Sequence, residues 1–167
     1  DTQQSSRLWL QQRPEVLPKI STWEYEADLV LTAKPPQGTT HVVIDTPGGI
    51  NGWRLKEVIL RADKVIVPVM PSLFDMQATQ NFLKQLVEIT KGIPTDVRVI
   101  GNRVDARTIS ASNLRKFVES LDVQVLSYLR DTQYYLHMAA HGLSLFDITP
   151  SKGAKDLEQW QPICEWL

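Results

Sequence analysis

The sequence has little cysteine and no long apolar segment. Its 167 residues include one cysteine, Cys164, so neither an internal disulfide nor a cysteine-cluster metal site can form. Its strongly apolar runs, such as Val65 to Met70, are far shorter than the roughly 20 residues that a membrane-spanning helix needs. No cationic segment followed by an apolar core resembles a secretory signal. We therefore expect no transmembrane segment, and a cytoplasmic location is the default expectation.

The chain also lacks a strong charge bias. Its 18 Lys and Arg residues are interspersed with 19 Asp and Glu residues, which leaves a formal net charge of -1. This balance excludes a basic or acidic tail, so any contact with nucleic acid has to use a local patch. With 43% hydrophobic residues, the composition is that of one globular domain over residues 1–167, large enough to bury a core.

Short runs rich in Val and Ile alternate with helix-like stretches from about residue 40 onward, which predicts successive strand–helix units. The runs are mostly continuous rather than alternating, as in a parallel sheet that is covered on both faces. The predicted fold class is therefore α/β, with a mostly parallel sheet flanked by helices on both faces. Strands are expected at 42–44, 65–67, 97–100 and 123–126, with Pro68 at the exit of the second.

Helical spacing of apolar residues, caps and stop signals predict the helices between these strands. They are expected at 53–63, around 82–87, from the cap Ser110 to 121, at 132–141 with Gly142 as its stop, and at 153–167. Leu8 to Leu10 opens a helix that Pro14 ends. Residues 20–25 fit a strand or a helix start, and 34–38 form a loop by their turn chemistry.

A candidate site follows the first predicted strand. Val42 to Ile44 leads into Asp45, and a glycine-bearing turn comes directly afterwards. A carboxylate at the end of a parallel strand can hold a hydrated magnesium ion, and a glycine turn can approach a phosphate without obstruction. This arrangement is Walker-B-like. In the alternative interpretation, Asp45 caps the turn and Gly48 and Gly49 only reverse the chain.

Four segments, read in order, match the motifs of one known family. Asp1 to Ser6 matches its D-P-Q-G-S-S segment, with Thr2 and Gln4 in place of proline and glycine. Val43 to Gly49 matches its Walker B and switch. The other two matches are 62–75, for A-D-x-V-x-I-P-x-x-P-S-x-x-D, and 102–108, for N-R-x-D-x-R-T. With weaker similarity up to the last helix, nearly the whole chain resembles the ParA/MinD family of deviant Walker ATPases.

The resemblance implies a P-loop NTPase fold and an ATP-dependent switch. Such a protein forms a homodimer around two ATP molecules and hydrolyses them when a ParB-like or cargo-adaptor partner stimulates it, and so positions plasmids, chromosomes or protein assemblies. Asp1 matches the catalytic carboxylate that orients the attacking water, and Asp45 the one that holds magnesium through water. Asn102 matches the residue that reads the adenine edge. The switch that senses the terminal phosphate corresponds to Thr46, Pro47, Gly48 and Gly49.

One motif of the family is missing from these residues. No Gly-Lys-Ser/Thr occurs anywhere in the chain, although the P-loop defines the family. In a complete member it precedes the segment that matches Asp1, which would add about 40 residues, the length of one strand–helix–strand unit. We therefore expect a fragment without its N-terminal strand–loop–helix, with a true loss of the function as the alternative. Such a chain should bind ATP poorly or not at all, and on its own it should be unstable or pair aberrantly.

DNA binding is implied by the resemblance and hardly strengthened by the residues. Many ParA-like proteins bind DNA without sequence preference, and this chain has two short cationic stretches diluted by acidic residues. A solvated helix face explains them equally well. The stretches contain Arg54, Lys56, Arg61 and Lys64, and Arg98, Arg103 and Arg107.

The remaining candidates carry less weight. His137 and His141 have helical i, i+4 spacing but no third metal ligand, so solvated or core histidines are favoured. Asp131, Tyr134 and Tyr135 are assigned no role. Two further hypotheses stay open: a nucleotide-free adaptor with the same fold, and a biosynthetic relative similar to dethiobiotin synthetase, for which no dedicated polar substrate set is evident.

Overall fold

The structure is a computed structural model that describes residues 5–22 and 35–167. Helices and strands alternate along most of the described chain. In order, they are α1 (Ser5–Gln12), α2 (Gly52–Ile59), β1 (Lys64–Val69), α3 (Leu73–Thr90), β2 (Asp96–Val104), α4 (Ile109–Glu119), β3 (Val125–Arg130), α5 (Gln133–Ala139), a 3-10 turn (Leu145–Asp147) and α6 (Pro150–Trp166).

The described strands form one parallel sheet in the order β1-β2-β3. Val65 pairs with Val97 across β1 and β2, and Val99 pairs with Val125 across β2 and β3. Near its carboxyl end β2 carries a bulge, because Gly101 pairs with Tyr128 but Val104 pairs with Arg130. The bulge falls at residues 102–103, which changes the direction of the chain at the edge where ligands bind in open parallel sheets.

Helices cover both faces of the sheet. On one face, Val67, Val69 and Val99 pack against α2, α3 and α4 in the larger core cluster. On the other face, Ile100 and Leu129 pack against Ile163 of α6. Successive residues of β2 thus enter different cores, which accounts for its continuous apolar sequence. The predicted class, an α/β protein with a parallel sheet flanked by helices, is confirmed at this level.

Side-chain caps define where three helices begin. The hydroxyl of Ser72 accepts a hydrogen bond from Asp75 N, that of Thr108 from Ala111 N, and that of Thr132 from Tyr134 N. Each hydroxyl satisfies an amide that would otherwise lack a partner in the first turn. Helix α6 instead has Pro150 in its first turn, where the missing N–H costs no hydrogen bond, and so begins earlier than predicted.

One predicted strand is wrong. Residues 41–47 form neither a helix nor a strand, and Val43 is 91% exposed. An apolar run favours burial but does not supply the neighbouring strand that a ladder requires, and the described sheet pairs nothing with Val42 to Ile44. The predictions at 65–67 and 97–100 fall within β1 and β2, and Pro68 is the next-to-last residue of edge strand β1.

The other differences concern boundaries. Strand β3 spans Val125–Arg130 instead of 123–126, α2 ends at Ile59 and α5 at Ala139. Helix α1 confirms the predicted helix before Pro14. Residues 23–25 of the undecided segment lie outside the described residues. Across the part of the chain that the structure describes, every helix is too short or too polar to cross a membrane.

Candidate functional site

The predicted switch is a tight turn that leads directly into α2. Ile50 N donates a hydrogen bond to Pro47 O at 3.3 Å, which places Gly48 and Gly49 at the centre of the turn. Gly49 has a φ of +74°, the conformation that the third position of a type II turn requires and that glycine adopts without strain. Apart from the neighbours in the chain, no atom of the described residues lies within 4 Å of a Cβ placed on either glycine, so these residues leave the turn backbone open to a ligand.

Asp45, the carboxylate before this turn, is exposed and contacts helix α1. Its Oδ2 accepts a hydrogen bond from the Ser6 hydroxyl at 2.5 Å. Thr46 and Pro47 are also exposed. The exposed carboxylate fits a hydrated magnesium ion held through water, which needs few protein ligands. Among the described residues, no group of three His, Cys, Asp or Glu side chains is arranged for a metal.

Asn102 lies at the bulge of β2, where the backbone is strained. It is half-buried, and its Oδ1 accepts a hydrogen bond from Arg103 N at 3.0 Å. Arg103 has a φ of +52°, a left-handed conformation that costs a non-glycine residue about 1–2 kcal/mol. Its Nε donates to Asp131 Oδ1 at 3.1 Å, which ties the carboxyl ends of β2 and β3 together. Backbone strain of this kind concentrates at functional sites.

The rest of the 102–108 motif has a structural explanation. Arg107 donates to both carboxylate oxygens of Asp105 at 2.9 Å, and its backbone N–H bonds the same carboxylate. These hydrogen bonds lower the pKa of Asp105 to about 2. Thr108 then caps α4.

The 62–75 motif has a similar structural role, because its Ser72 and Asp75 cap α3 through their contact with each other. The motif residues therefore also serve to shape the two helix starts.

The structure does not unite the predicted site residues into one pocket. No hydrogen bond joins Asp45 to Asn102, both of which are described, and Asp1 lies outside the described residues. An open groove between α2 and α3 is lined by Trp53, Lys56, Lys84 and Ile89, none of which belongs to the predicted nucleotide site. His137 and His141 contact each other, with ring centroids 4.8 Å apart, and His141 Nδ1 lies 2.8 Å from the His137 carbonyl oxygen.

Sequence reasoning missed the contacts that place α1 against the site. Arg13 forms a two-point ion pair with Asp147, and Trp9 donates to the Leu143 carbonyl. Each partner is 134 positions away, and no periodicity links such distant residues. The strain at Arg103 has a faint sequence signal, because a polar N-R-x-D stretch interrupts the end of an otherwise apolar strand.

In comparisons with known proteins, no family model matches the chain, and neither a curated protein nor a solved structure matches it significantly. The function is therefore inferred from the motifs of the chain and from the geometry above.

Proposed function

We propose that the chain belongs to a ParA-like ATPase, an ATP-dependent dimerising switch that positions a cargo. The observation that carries the proposal is the loop from Asp45 to Ile50. An exposed carboxylate precedes an open glycine turn, and a helix follows at once. Phosphoryl transfer relies on positioning and electrostatics, and this loop offers both a magnesium-compatible oxygen and unobstructed backbone.

Each residue has a separate role in the proposal. Asp45 holds water molecules of a magnesium ion, which would neutralise charge on the phosphates. Thr46, Pro47 and Gly48 respond to the terminal phosphate, Asn102 presents its amide to the adenine edge, and Asp1 orients the attacking water. Homodimerisation, a ParB-like partner, DNA contact and a cytoplasmic location belong to the same proposal.

The test compares ATP binding and hydrolysis by this chain and by a version that carries any residues encoded upstream of Asp1, with Asp45→Ala made in both. We expect binding and turnover only in the extended version, and loss of turnover with Asp45→Ala. Asp122→Ala, which changes an exposed carboxylate between α4 and β3, is the matched control and should retain turnover. If neither version binds nucleotide, the roles of Asp1, Asp45 and Asn102 are withdrawn.

A nucleotide-free adaptor of the same fold is the second candidate. The chain contains no Gly-Lys-Ser/Thr, and large apolar side chains are exposed at the first turns of two helices. Leu73 and Phe74 of α3 are 70% and 80% exposed, and Ile109 of α4 is 81% exposed. Because α3 and α4 follow the paired parallel strands β1 and β2, both first turns lie at the same edge of the sheet, and exposed apolar groups gathered there favour contact with another protein. Binding of a partner by the extended version without any nucleotide binding would favour this candidate.

A further inference from the structure

Two histidines lie about one helical turn apart at the carboxyl end of α5. His137 is in the helix, and His141 lies two residues beyond Ala139, where the helix ends. Both side chains are exposed. Residues at i and i+4 share one face of a helix, and two zinc ligands on a helix use the same spacing. The spacing lets both rings reach one ion, provided that the turn at the end of α5 holds them in place.

The turn that carries His141 has a fixed backbone. Leu143 N donates to the Met138 carbonyl oxygen at 3.0 Å, and Gly142 N donates to the Ala139 carbonyl oxygen at 3.1 Å. With Gly142 at a φ of +65°, these two hydrogen bonds form a Schellman motif, in which His141 is the residue before the left-handed glycine. Met138, between the two histidines, is only 3% exposed. The helical spacing of the pair is therefore kept beyond the last residue of α5.

The chain that follows α1 restrains this turn from a second side. A Cβ added to Gly142 would clash with the Gln12 carbonyl carbon, so only glycine allows the two backbones to approach so closely. Arg13 donates to the Gly142 carbonyl oxygen at 3.3 Å and to both carboxylate oxygens of Asp147. Side chains on a backbone that is ordered before binding lose less conformational freedom when a ligand binds.

One ring nitrogen of His141 makes the contact that metal-bound histidines commonly make. Its Nδ1 lies 2.8 Å from the His137 carbonyl oxygen. Because a carbonyl oxygen only accepts hydrogen bonds, Nδ1 carries the proton, and Nε2 of the neutral ring keeps its lone pair. Histidines that bind a metal through one nitrogen usually donate from the other to a carbonyl or a carboxylate, which fixes the tautomer and the ring orientation. His141 is thus prepared for coordination through Nε2.

The separation of the two rings also suits a shared ion. A zinc–nitrogen bond is about 2.0–2.1 Å long, so two imidazoles bound to one ion at an angle of about 90–110° have ring centres about 4.5–5.2 Å apart. The ring centroids of His137 and His141 are 4.8 Å apart, and the ring planes are tilted by 56° rather than stacked. This separation therefore needs little change for both histidines to bind the same ion.

We propose that His137 and His141 bind one zinc ion, His141 through Nε2, with water in the remaining coordination positions. Imidazole suits zinc among the divalent metals. The part of the chain that the structure describes supplies no third His, Cys, Asp or Glu to the pair. The site is therefore weaker than a structural zinc site with four protein ligands, and its open positions can accept a ligand from outside the chain.

This inference goes beyond what the sequence predicted, which was a pair of solvated or core histidines. The i, i+4 spacing alone gave neither the tautomer of His141 nor the separation of the rings. The zinc site uses no residue of the proposed ATPase function. It can therefore hold if the chain never binds nucleotide, and it can fail while the ATPase proposal stands.

The test titrates zinc into the chain and follows the imidazole 1H–13C and 1H–15N signals of its three histidines. Cys164→Ser is present throughout, because an exposed thiol also binds zinc. We expect the signals of His137 and His141 to change with one common midpoint. The Nε2 signal of His141 should move, while its Nδ1 keeps the proton. His41, which is exposed in a separate loop, should not follow this midpoint.

Single variants test whether the two histidines act together. His137→Gln and His141→Gln each remove one ligand. Each should weaken zinc binding by the remaining histidine at least about tenfold, since loss of an outer-shell partner alone weakens metal binding by about 10–100-fold. His41→Gln is the matched control and should leave the midpoint of the pair unchanged. Backbone amide signals of 97–100 in β2 report whether each variant is folded.

Four outcomes overturn the zinc site. These are no response of either histidine in a large excess of zinc, different midpoints for His137 and His141, unchanged affinity in both single variants, and coordination of His141 through Nδ1. If a variant does not fold, the comparison of the two midpoints in the Cys164→Ser chain still decides, because it needs no substitution of either histidine.

Discussion

Arg130 at the end of β3 donates two hydrogen bonds to Asp156 of α6, from Nε to Oδ1 at 2.7 Å and from Nη2 to Oδ2 at 2.8 Å. Asp156 is 1% exposed, whereas the Arg130 side chain is 38% exposed. Gln159, on the same side of α6, accepts from Arg130 N at 3.0 Å and from the Ser127 hydroxyl at 2.6 Å. These hydrogen bonds hold α6 against β3, next to the apolar contact of Ile163 with Ile100 and Leu129.

The first prediction concerns the ion pair between Arg130 and Asp156. Asp156→Asn removes the charge that Arg130 faces and keeps the side-chain volume, so we expect a loss of about 2–3 kcal/mol in the free energy of unfolding. The loss stays below that of a fully buried pair because water still reaches Arg130. Urea denaturation measures it. Glu158→Gln, an exposed neutralisation on the same helix, is the control and should change stability by less than about 0.5 kcal/mol. If both variants changed the free energy of unfolding equally, the ion pair with Arg130 would not be the cause of the loss.

The second prediction concerns acid stability. The pKa values of Asp147 and Asp156 are lowered by hydrogen bonds from Arg13 and Arg130. A carboxyl group with a lowered folded-state pKa stabilises the fold fully above its unfolded value of about 3.9, and the contribution is lost as pH falls through the folded value. We therefore expect the urea midpoint to decline below about pH 4.

A double variant provides the check on this acid dependence. With Asp147→Asn and Asp156→Asn together, the protein should be less stable at neutral pH and should lose less stability between about pH 4 and pH 2 than the parent. An unchanged decline in the double variant would mean that other carboxyl groups control acid unfolding.

The sequence predicted β1 and β2 because both contain neighbouring β-branched residues. In β2 these residues enter both cores, as Val99 and Ile100 illustrate, whereas β1 buries alternate residues in one core only. It failed at Val42 to Ile44, where the same residue types occur without a described neighbouring strand. Composition reports how strongly a segment favours burial, but pairing depends on what lies beside it.

In the candidate site, too, local features could be predicted from the sequence, whereas long-range contacts could not. Gly49 could be assigned to a turn from local chemistry, and its positive φ follows from that chemistry. The contacts of Asp45 with Ser6 and of Asp147 with Arg13 join residues 39 and 134 positions apart. No local pattern encodes such pairs, since each depends on how α1 packs after the chain has folded.

The third prediction compares two glycines. A Cβ at Gly101 would lie 2.4 Å from Tyr128 Cδ1, whereas one at Gly48 meets no atom of the other described residues within 4 Å. Gly101→Ala should therefore destabilise the protein by about 1–3 kcal/mol, because the half-buried tyrosine ring has to move. Gly48→Ala should change stability by less than about 0.5 kcal/mol. Thermal or urea unfolding measures both.

Tyr128 provides the internal control for Gly101. In combination with Tyr128→Ala, the Gly101→Ala change should cost less than it does alone, because the ring that it meets is gone. If the effects of the two substitutions on stability were additive, the loss caused by Gly101→Ala would not come from its contact with the tyrosine ring. Arg115, which stacks 4.7 Å from the centre of the ring, makes Tyr128→Ala itself costly, so the comparison needs the full cycle of single and double variants.

The last prediction tests the strain at Arg103. Arg103→Asn and Arg103→Val both remove the exposed ion pair with Asp131, which is worth at most about 1 kcal/mol. They differ in the backbone, because asparagine adopts a positive φ readily and a β-branched residue does not. The valine variant should therefore be less stable than the asparagine variant by about 1–2 kcal/mol in urea. Equal stabilities would show that the bulge relaxes, and Asn102 would then lack the rigid support that the proposed adenine contact requires.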